Sequence, residues 1–120
     1  MLGLGIDVVE IGRIRRALEK WGTRFEDRIL TREELVLCRS KNDFSASFAV
    51  RFAAKEAFFK ALPGNRTAHL SWHDVVVLNA PSGRPYIALS PHARQLLGRH
   101  KVHVSLTHSR ETAAAVVLIE

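Results

Sequence analysis

Between Arg51 and Leu62 the chain reads RFAAKEAFFKAL, and Phe48, Phe52, Phe59 and Leu62 recur at spacings of four, seven and three. At about 100° per residue these positions form one helical stripe. Alanines at 49, 53, 54, 57 and 61 cover much of the remaining circumference, so this helix packs on more than one side. It is expected to start near Phe44 or Ser45 and to stop at Leu62, before Pro63 and Gly64. Ahead of it, residues 2 to 9 are apolar and β-branched and read as a buried strand ending near Asp7 to Val9. Ile11, Ile14, Ala17, Leu18 and Trp21 give Glu10 to Trp21 the period of an amphipathic helix with a basic outer side. Gly22 to Arg28 reads as a turn and a short basic, aromatic piece. Thr31-Arg-Glu-Glu34 is a capping box that opens a helix through Leu35, Leu37 and Cys38. Arg39 to Asp43 is a polar connection.

Beyond Thr67 the pattern changes to short apolar runs. His73 to Ala80 and Pro85 to Leu89 flank Pro81-Ser82-Gly83 and predict a hairpin. Ser90 followed by Pro91 predicts a capped helix to about Leu97. Val102 to Leu106 and Ala113 to Ile119 predict two more strands, with His108 to Thr112 turning between them. Helices first and antiparallel strands after them predict one α+β domain over residues 1 to 120. The 47% hydrophobic content suits a single core.

Charge narrows the partners. Eighteen Lys and Arg against twelve Asp and Glu give a net charge of +6, which points to an acidic partner. Nucleic acid, a phosphorylated small molecule, an acidic protein and an anionic membrane all meet that description. The amino terminus has no basic leader and carries Asp7 within its apolar run, so it does not read as a signal peptide. No run reaches the 18 or so apolar residues of a membrane span, and a soluble chain is expected. The single Cys38, set in a helical pattern, predicts packing and a reducing, cytoplasmic setting. Gly3 and Gly5 resemble the start of a dinucleotide-binding loop, but no glycine stands three residues beyond Gly5.

The candidate chemistry lies in acids close to apolar surface. Asp7 stands at the end of a strand where a carboxylate needs a partner or a metal, or else caps the following helix. Glu56 lies about 40° round the helix from Phe52, and Lys60 about 40° further, beside the apolar stripe. As an exposed pair, Glu56 and Lys60 would contribute only about 0.3–0.5 kcal/mol.

Five segments in this order, GIDVVEIGRI (5 to 14), RFEDRILTREEL (24 to 35), RFAAKEAFFKAL (51 to 62), SGRPYI (82 to 87) and HVSLTHSRETAAAVVLIE (103 to 120), nearly span the chain. Together they resemble the holo-acyl-carrier-protein synthase family, the short type of 4'-phosphopantetheinyl transferase. The resemblance implies an antiparallel sheet packed around a long central helix. It also implies transfer of 4'-phosphopantetheine from coenzyme A to a serine of apo acyl carrier protein, in support of fatty acid biosynthesis. Adenosine 3',5'-bisphosphate would leave. Attack on a pyrophosphate phosphorus calls for a divalent metal and well-aimed cations. By the family match Asp7 and Glu56 hold magnesium, Lys60 meets the pyrophosphate or the leaving group, and His108 contacts coenzyme A near its phosphates. Ser105 and Thr107 would share a wall with His108, and His103 would be structural.

Arg51, about 140° round the helix from Glu56, would not reach that metal. The resemblance gives it cofactor binding in a neighbouring subunit's site, because the family assembles as homotrimers with sites at subunit boundaries. Arg13 aligns with a family arginine at the carrier-protein contact. Arg24, Phe25 and Arg28 extend that surface toward an acidic acyl carrier protein. Arg15 and Arg16 read as a solvated face. Whether Glu56 removes the serine proton directly or through a metal-bound water stays open. Pro63, Gly64, Asn65 and Arg66 depart from the family's small glycine-rich turn. A basic nucleic-acid-binding domain is the main rival, but the few aromatics sit at core spacings and no nucleic-acid motif is present. A scaffold that keeps the fold without catalysis is the third reading, and the presence of Asp7, Glu56, Lys60 and His108 speaks against it.

Overall fold

In a computed structural model, described over residues 2–64 and 69–120, eleven successive elements form a domain centred on one of them, a long helix. Their order is β1 (Gly3–Glu10), α1 (Ile11–Trp21), α2 (Thr23–Ile29), α3 (Arg32–Arg39), α4 (Phe44–Ala61), a 3-10 turn (Trp72–Asp74), β2 (Val75–Asn79), β3 (Pro85–Leu89), α5 (Pro91–Leu97), β4 (Val102–His108) and β5 (Thr112–Ile119). Asn65 and Arg66, part of the turn that departs from the family pattern, lie outside the described residues.

Helix α4 is central, as its all-round apolar pattern requires. Asp43 caps its start by accepting a hydrogen bond from the Ala46 N–H at 3.1 Å. The apolar stripe is placed differently from the sequence expectation. Phe48 and Phe58 are fully buried, whereas Phe52 and Phe59 are half-buried and meet Trp72, with ring centroids 5.4 and 5.6 Å apart. Each fully buried Phe contributes about 1.5–3 kcal/mol. The reason is that α4 is covered on several sides, so no single stripe defines its core face.

The strands form two antiparallel sheets, ordered β1-β5-β4 and β2-β3. In the three-stranded sheet Asp7 lies opposite Ala115, which lies opposite Leu106, and Val9 lies opposite Ala113, which lies opposite His108. Alternation puts Gly5, Val9, Ala113, Ala115 and Val117 on the covered face. The expected burial of β1 holds for that face only. On the other face Leu4, Ile6 and Val8 remain 58%, 62% and 63% exposed.

The capping box at Thr31 forms as read, with the Glu34 N–H donating to Thr31 Oγ1 at 3.3 Å and the Thr31 N–H donating to Glu34 Oε1 at 2.9 Å. Ser90 caps α5 through the Ala93 N–H at 3.1 Å. The short basic, aromatic piece after the turn at Gly22 is a helix, α2. Gly22, at φ 56°, breaks the chain between α1 and α2. In α2 only Ile29 is fully buried, too little for an apolar period to register. Cys38 is buried, and burial pushes its thiol pKa up, which suits packing.

Candidate active site

Two of the side chains expected to act together, Asp7 and Lys60, meet directly, and Glu56 stands one helical turn before Lys60. Strand β1 brings Asp7 to its covered face, and α4 carries Glu56 and Lys60 one turn apart. Lys60 Nζ donates to Asp7 Oδ1 at 3.0 Å and to the Ile6 carbonyl oxygen at 3.2 Å. The Asp7 side chain is 15% exposed and that of Lys60 55%, so the carboxylate is sheltered while the ammonium reaches it from solvent. Glu56 is half-buried. Burial, and secondly the charge of Asp7, push the Glu56 pKa up, while Lys60 and Arg13 pull against the rise. Two carboxylates thus share a partly dry corner with two cations. Among the described residues no group of three or more His, Cys, Asp or Glu side chains comes together.

The second group of expected residues lies elsewhere. Lys41, Ser47, Arg51, Asn79, Leu106, Thr107 and His108 are among the residues lining a cavity of about 480 Å³, and its wall includes none of Asp7, Glu56 and Lys60. Leu106 stands in the same row as Asp7 but two strands away, about 10 Å at the usual strand spacing. Arg51, only 3% exposed, donates to the Val77 carbonyl oxygen at 3.2 Å, Ser47 Oγ at 2.8 Å and Asn79 Oδ1 at 2.7 Å. Its guanidinium is committed to joining α4 to β2. Ser105 is not among the residues lining this cavity; it lies opposite Val116, and Val116 opposite Ile6, on the uncovered face. His108 ends β4 rather than beginning a turn.

A groove of about 570 Å³ is lined by Ala17, Trp21, Arg24, Phe25 and Arg28. Three of the four expected carrier-protein contacts therefore lie together. Arg13 is not among the residues lining this groove, and its positive charge acts to lower the Glu56 pKa.

One buried polar group had no role in the sequence reading. Lys55 Nζ, with its side chain fully buried, donates to Glu34 Oε1 at 2.7 Å, the Ile29 carbonyl oxygen at 2.7 Å and the Trp72 carbonyl oxygen at 3.0 Å. Its signal was its place on a helix apolar all round, where a lysine has to find a buried partner.

The family model of the 4'-phosphopantetheinyl transferase superfamily matches residues 3–117 of this helix-centred α+β chain. Within that superfamily, the chain belongs to the holo-[acyl-carrier-protein] synthase family. It is 48% identical over 126 residues to the holo-[acyl-carrier-protein] synthase of Treponema denticola, covering 100% of this chain and 98% of that relative. The crystal structure of the Neisseria meningitidis holo-[acyl-carrier-protein] synthase superposes with a TM-score of 0.88 at 31% identity, over 100% of this chain and 98% of the other. The Helicobacter pylori holo-[acyl-carrier-protein] synthase, solved in complex with coenzyme A, gives a TM-score of 0.84 at 32% identity, over 98% and 99%.

Proposed function

We propose that Asp7, Glu56 and Lys60 form the transfer centre for the reaction of this family. The 4'-phosphopantetheine group passes from coenzyme A to a serine hydroxyl of apo acyl carrier protein, and adenosine 3',5'-bisphosphate leaves. The observation that carries this reading is the Lys60–Asp7 contact beside a Glu56 of raised proton affinity.

The donor set fits magnesium. Two hard carboxylate oxygens are available, and Asp7 already draws a cation, Lys60, to within 3.0 Å. Asp7 and Glu56 would hold the ion, which when bound supplies neutralising charge at the pyrophosphate. Lys60, on a flexible and exposed stem, swings from Asp7 to the phosphoryl oxygens as substrate arrives. Glu56, whose proton affinity is raised by burial and by Asp7, is suited to accept the serine proton. His108, Thr107 and Lys41 line the cavity that would take a phosphate-bearing part of coenzyme A, with Arg51 forming its inner wall.

The separation of these two groups within one copy supports a homotrimer, in which His108 of one copy faces Glu56 of the next. The uncovered sheet face supports it as well. Leu4, Ile6 and Val8, more than half exposed, share their rows with Leu118, Val116 and Ala114, an apolar surface that suits contact with further copies. The basic groove of Arg24, Phe25 and Arg28 docks the acidic carrier protein, and Arg13 guides its serine toward Glu56. No helix among the described residues is long and apolar enough to cross a membrane. The buried free thiol of Cys38 is consistent with a cytoplasmic place for the reaction.

The test is Glu56→Gln, assayed by the mass gain of apo carrier protein. Turnover falls by at least about a hundredfold, with circular dichroism unchanged. An active Glu56→Gln would overturn the assignment.

A further inference from the structure

Gly3 and Gly5 fit no nucleotide-binding loop, and neither residue takes a positive φ, so neither is demanded by backbone conformation. Space explains them. A Cβ on Gly5 would overlap the Ala57 carbonyl oxygen and come within 2.9 Å of the Ala61 nitrogen, and one on Gly3 would overlap the Ala61 carbonyl oxygen. Strand β1 therefore lies directly on the backbone of α4. Ala57 follows Glu56 in sequence, and Gly5 precedes Asp7 by two residues on the same strand face, about 6.5–7 Å away. The Gly5–Ala57 contact is thus next to both carboxylates, while Gly3 is two residues further along β1. Lys60 depends on the same approach, since it grips both the Ile6 carbonyl and Asp7.

We propose that Gly5 is a positioning residue, setting the depth at which β1 lies on α4 and so the gap between Asp7 and Glu56 across which a divalent cation is held. The inference rests on the reading that these two carboxylates hold the cation. Carbon contacts settle near 3.5 Å, so a side chain at position 5 lifts the strand by on the order of 1 Å. Magnesium wants oxygens at about 2.0–2.1 Å in near-ideal octahedral geometry, which leaves no room for such a shift.

The experiment measures Mn2+ binding to the full-length protein by the loss of the free-ion electron paramagnetic resonance signal, without coenzyme A, alongside thermal melts. Gly5→Ala weakens Mn2+ binding by about ten- to a hundredfold, the range for losing a residue that orients metal ligands. Gly3→Ala makes the same kind of overlap on α4 and weakens it less. Asp7→Glu, which reaches about 1.5 Å further, weakens binding in the wild-type background and restores part of it in the Gly5→Ala background. A merely structural role for Gly5 predicts no such rescue.

Gly5→Ala with wild-type Mn2+ affinity, equal losses in Gly3→Ala and Gly5→Ala, or a double variant no better than Gly5→Ala each overturn the proposal. If Gly5→Ala does not fold, Asp7→Glu alone decides, since unchanged affinity there means that the gap is not fixed. Glu56→Gln separates the two levels. Mn2+ binding retained in that variant sinks the cation reading itself, whereas binding lost in Glu56→Gln but kept in Gly5→Ala sinks only the role of Gly5.

Discussion

Replacing Lys55 by methionine removes a fully buried ammonium whose three oxygen partners belong to different segments: Ile29 at the end of α2, Glu34 on α3 and Trp72 in the 3-10 turn. Glu34, also fully buried, has further duties, accepting the Val77 N–H at 2.8 Å and the Thr31 N–H at 2.9 Å. Methionine nearly preserves side-chain volume, so the cavity contribution is small. What remains is a buried carboxylate without its counter-charge and two carbonyls without their donor. Breaking a buried pair from one side costs about 3–5 kcal/mol, a large share of the roughly 5–15 kcal/mol that holds a domain together. For a chain of this size the midpoint of melting should drop by about 10–20 °C. Burial lowers the Lys55 pKa, and the charge of Glu34 pulls against that fall. Adding Glu34→Gln removes the stranded charge while leaving an amide oxygen for the Val77 N–H. The double variant should therefore recover part of the loss, with a coupling of about 0.5–3 kcal/mol. Urea unfolding of the four species, compared at a common slope, measures this. A Lys55→Met cost below about 1 kcal/mol, the level of an exposed pair, would refute the reasoning.

The raised pKa of Glu56 gives a pH prediction. Between its unfolded and folded pKa values the folded chain binds the extra proton, so this group's contribution to stability falls as pH rises through that window. Because a cation binds the carboxylate form, the acid limb of kcat/KM should lie above the ordinary glutamate range at low magnesium and move to lower pH as magnesium is raised. A limb that ignores magnesium contradicts the site. Ile6→Lys places a charge on the uncovered sheet face and should convert the assembly to monomers in light scattering, with transfer lost. A variant that stays assembled means that this face is free. Arg24→Glu should raise KM for the carrier protein about tenfold or more with kcat nearly kept, and should flatten the salt dependence of KM. Unchanged KM would move the docking surface elsewhere.

What could be read from sequence followed how local its cause is. The Thr31–Glu34 box and the Ser90 cap involve residues three apart, and both formed as expected. The length of α4 was legible because Asp43, Pro63 and the alanine-rich run lie within one stretch. Which of its phenylalanines is deepest was not, because Phe58 is buried by elements that reach α4 from distant parts of the chain. Glu34 was read as a cap, and its second role toward Lys55 and Val77 depends on tertiary contacts across 21 and 43 residues. The pairing of Asp7 with Lys60 spans 53 residues, and only the family resemblance brought them together in advance. The family resemblance grouped Ser105 with His108, whereas strand alternation sends its side chain to the face opposite that of His108. The exposed apolar row of Leu4, Ile6 and Val8 looked like part of a buried strand because the residues of β1 are apolar on both faces, so sequence does not tell which face the fold covers.

The most direct measurement is the intact mass of an apo acyl carrier protein incubated with this chain, coenzyme A and magnesium, with a chelator control. A gain of one phosphopantetheine group on the carrier serine, lost with chelator and with Glu56→Gln, is the predicted result. A carrier protein that stays at its apo mass, across several acidic carrier proteins and with magnesium present, would contradict the account.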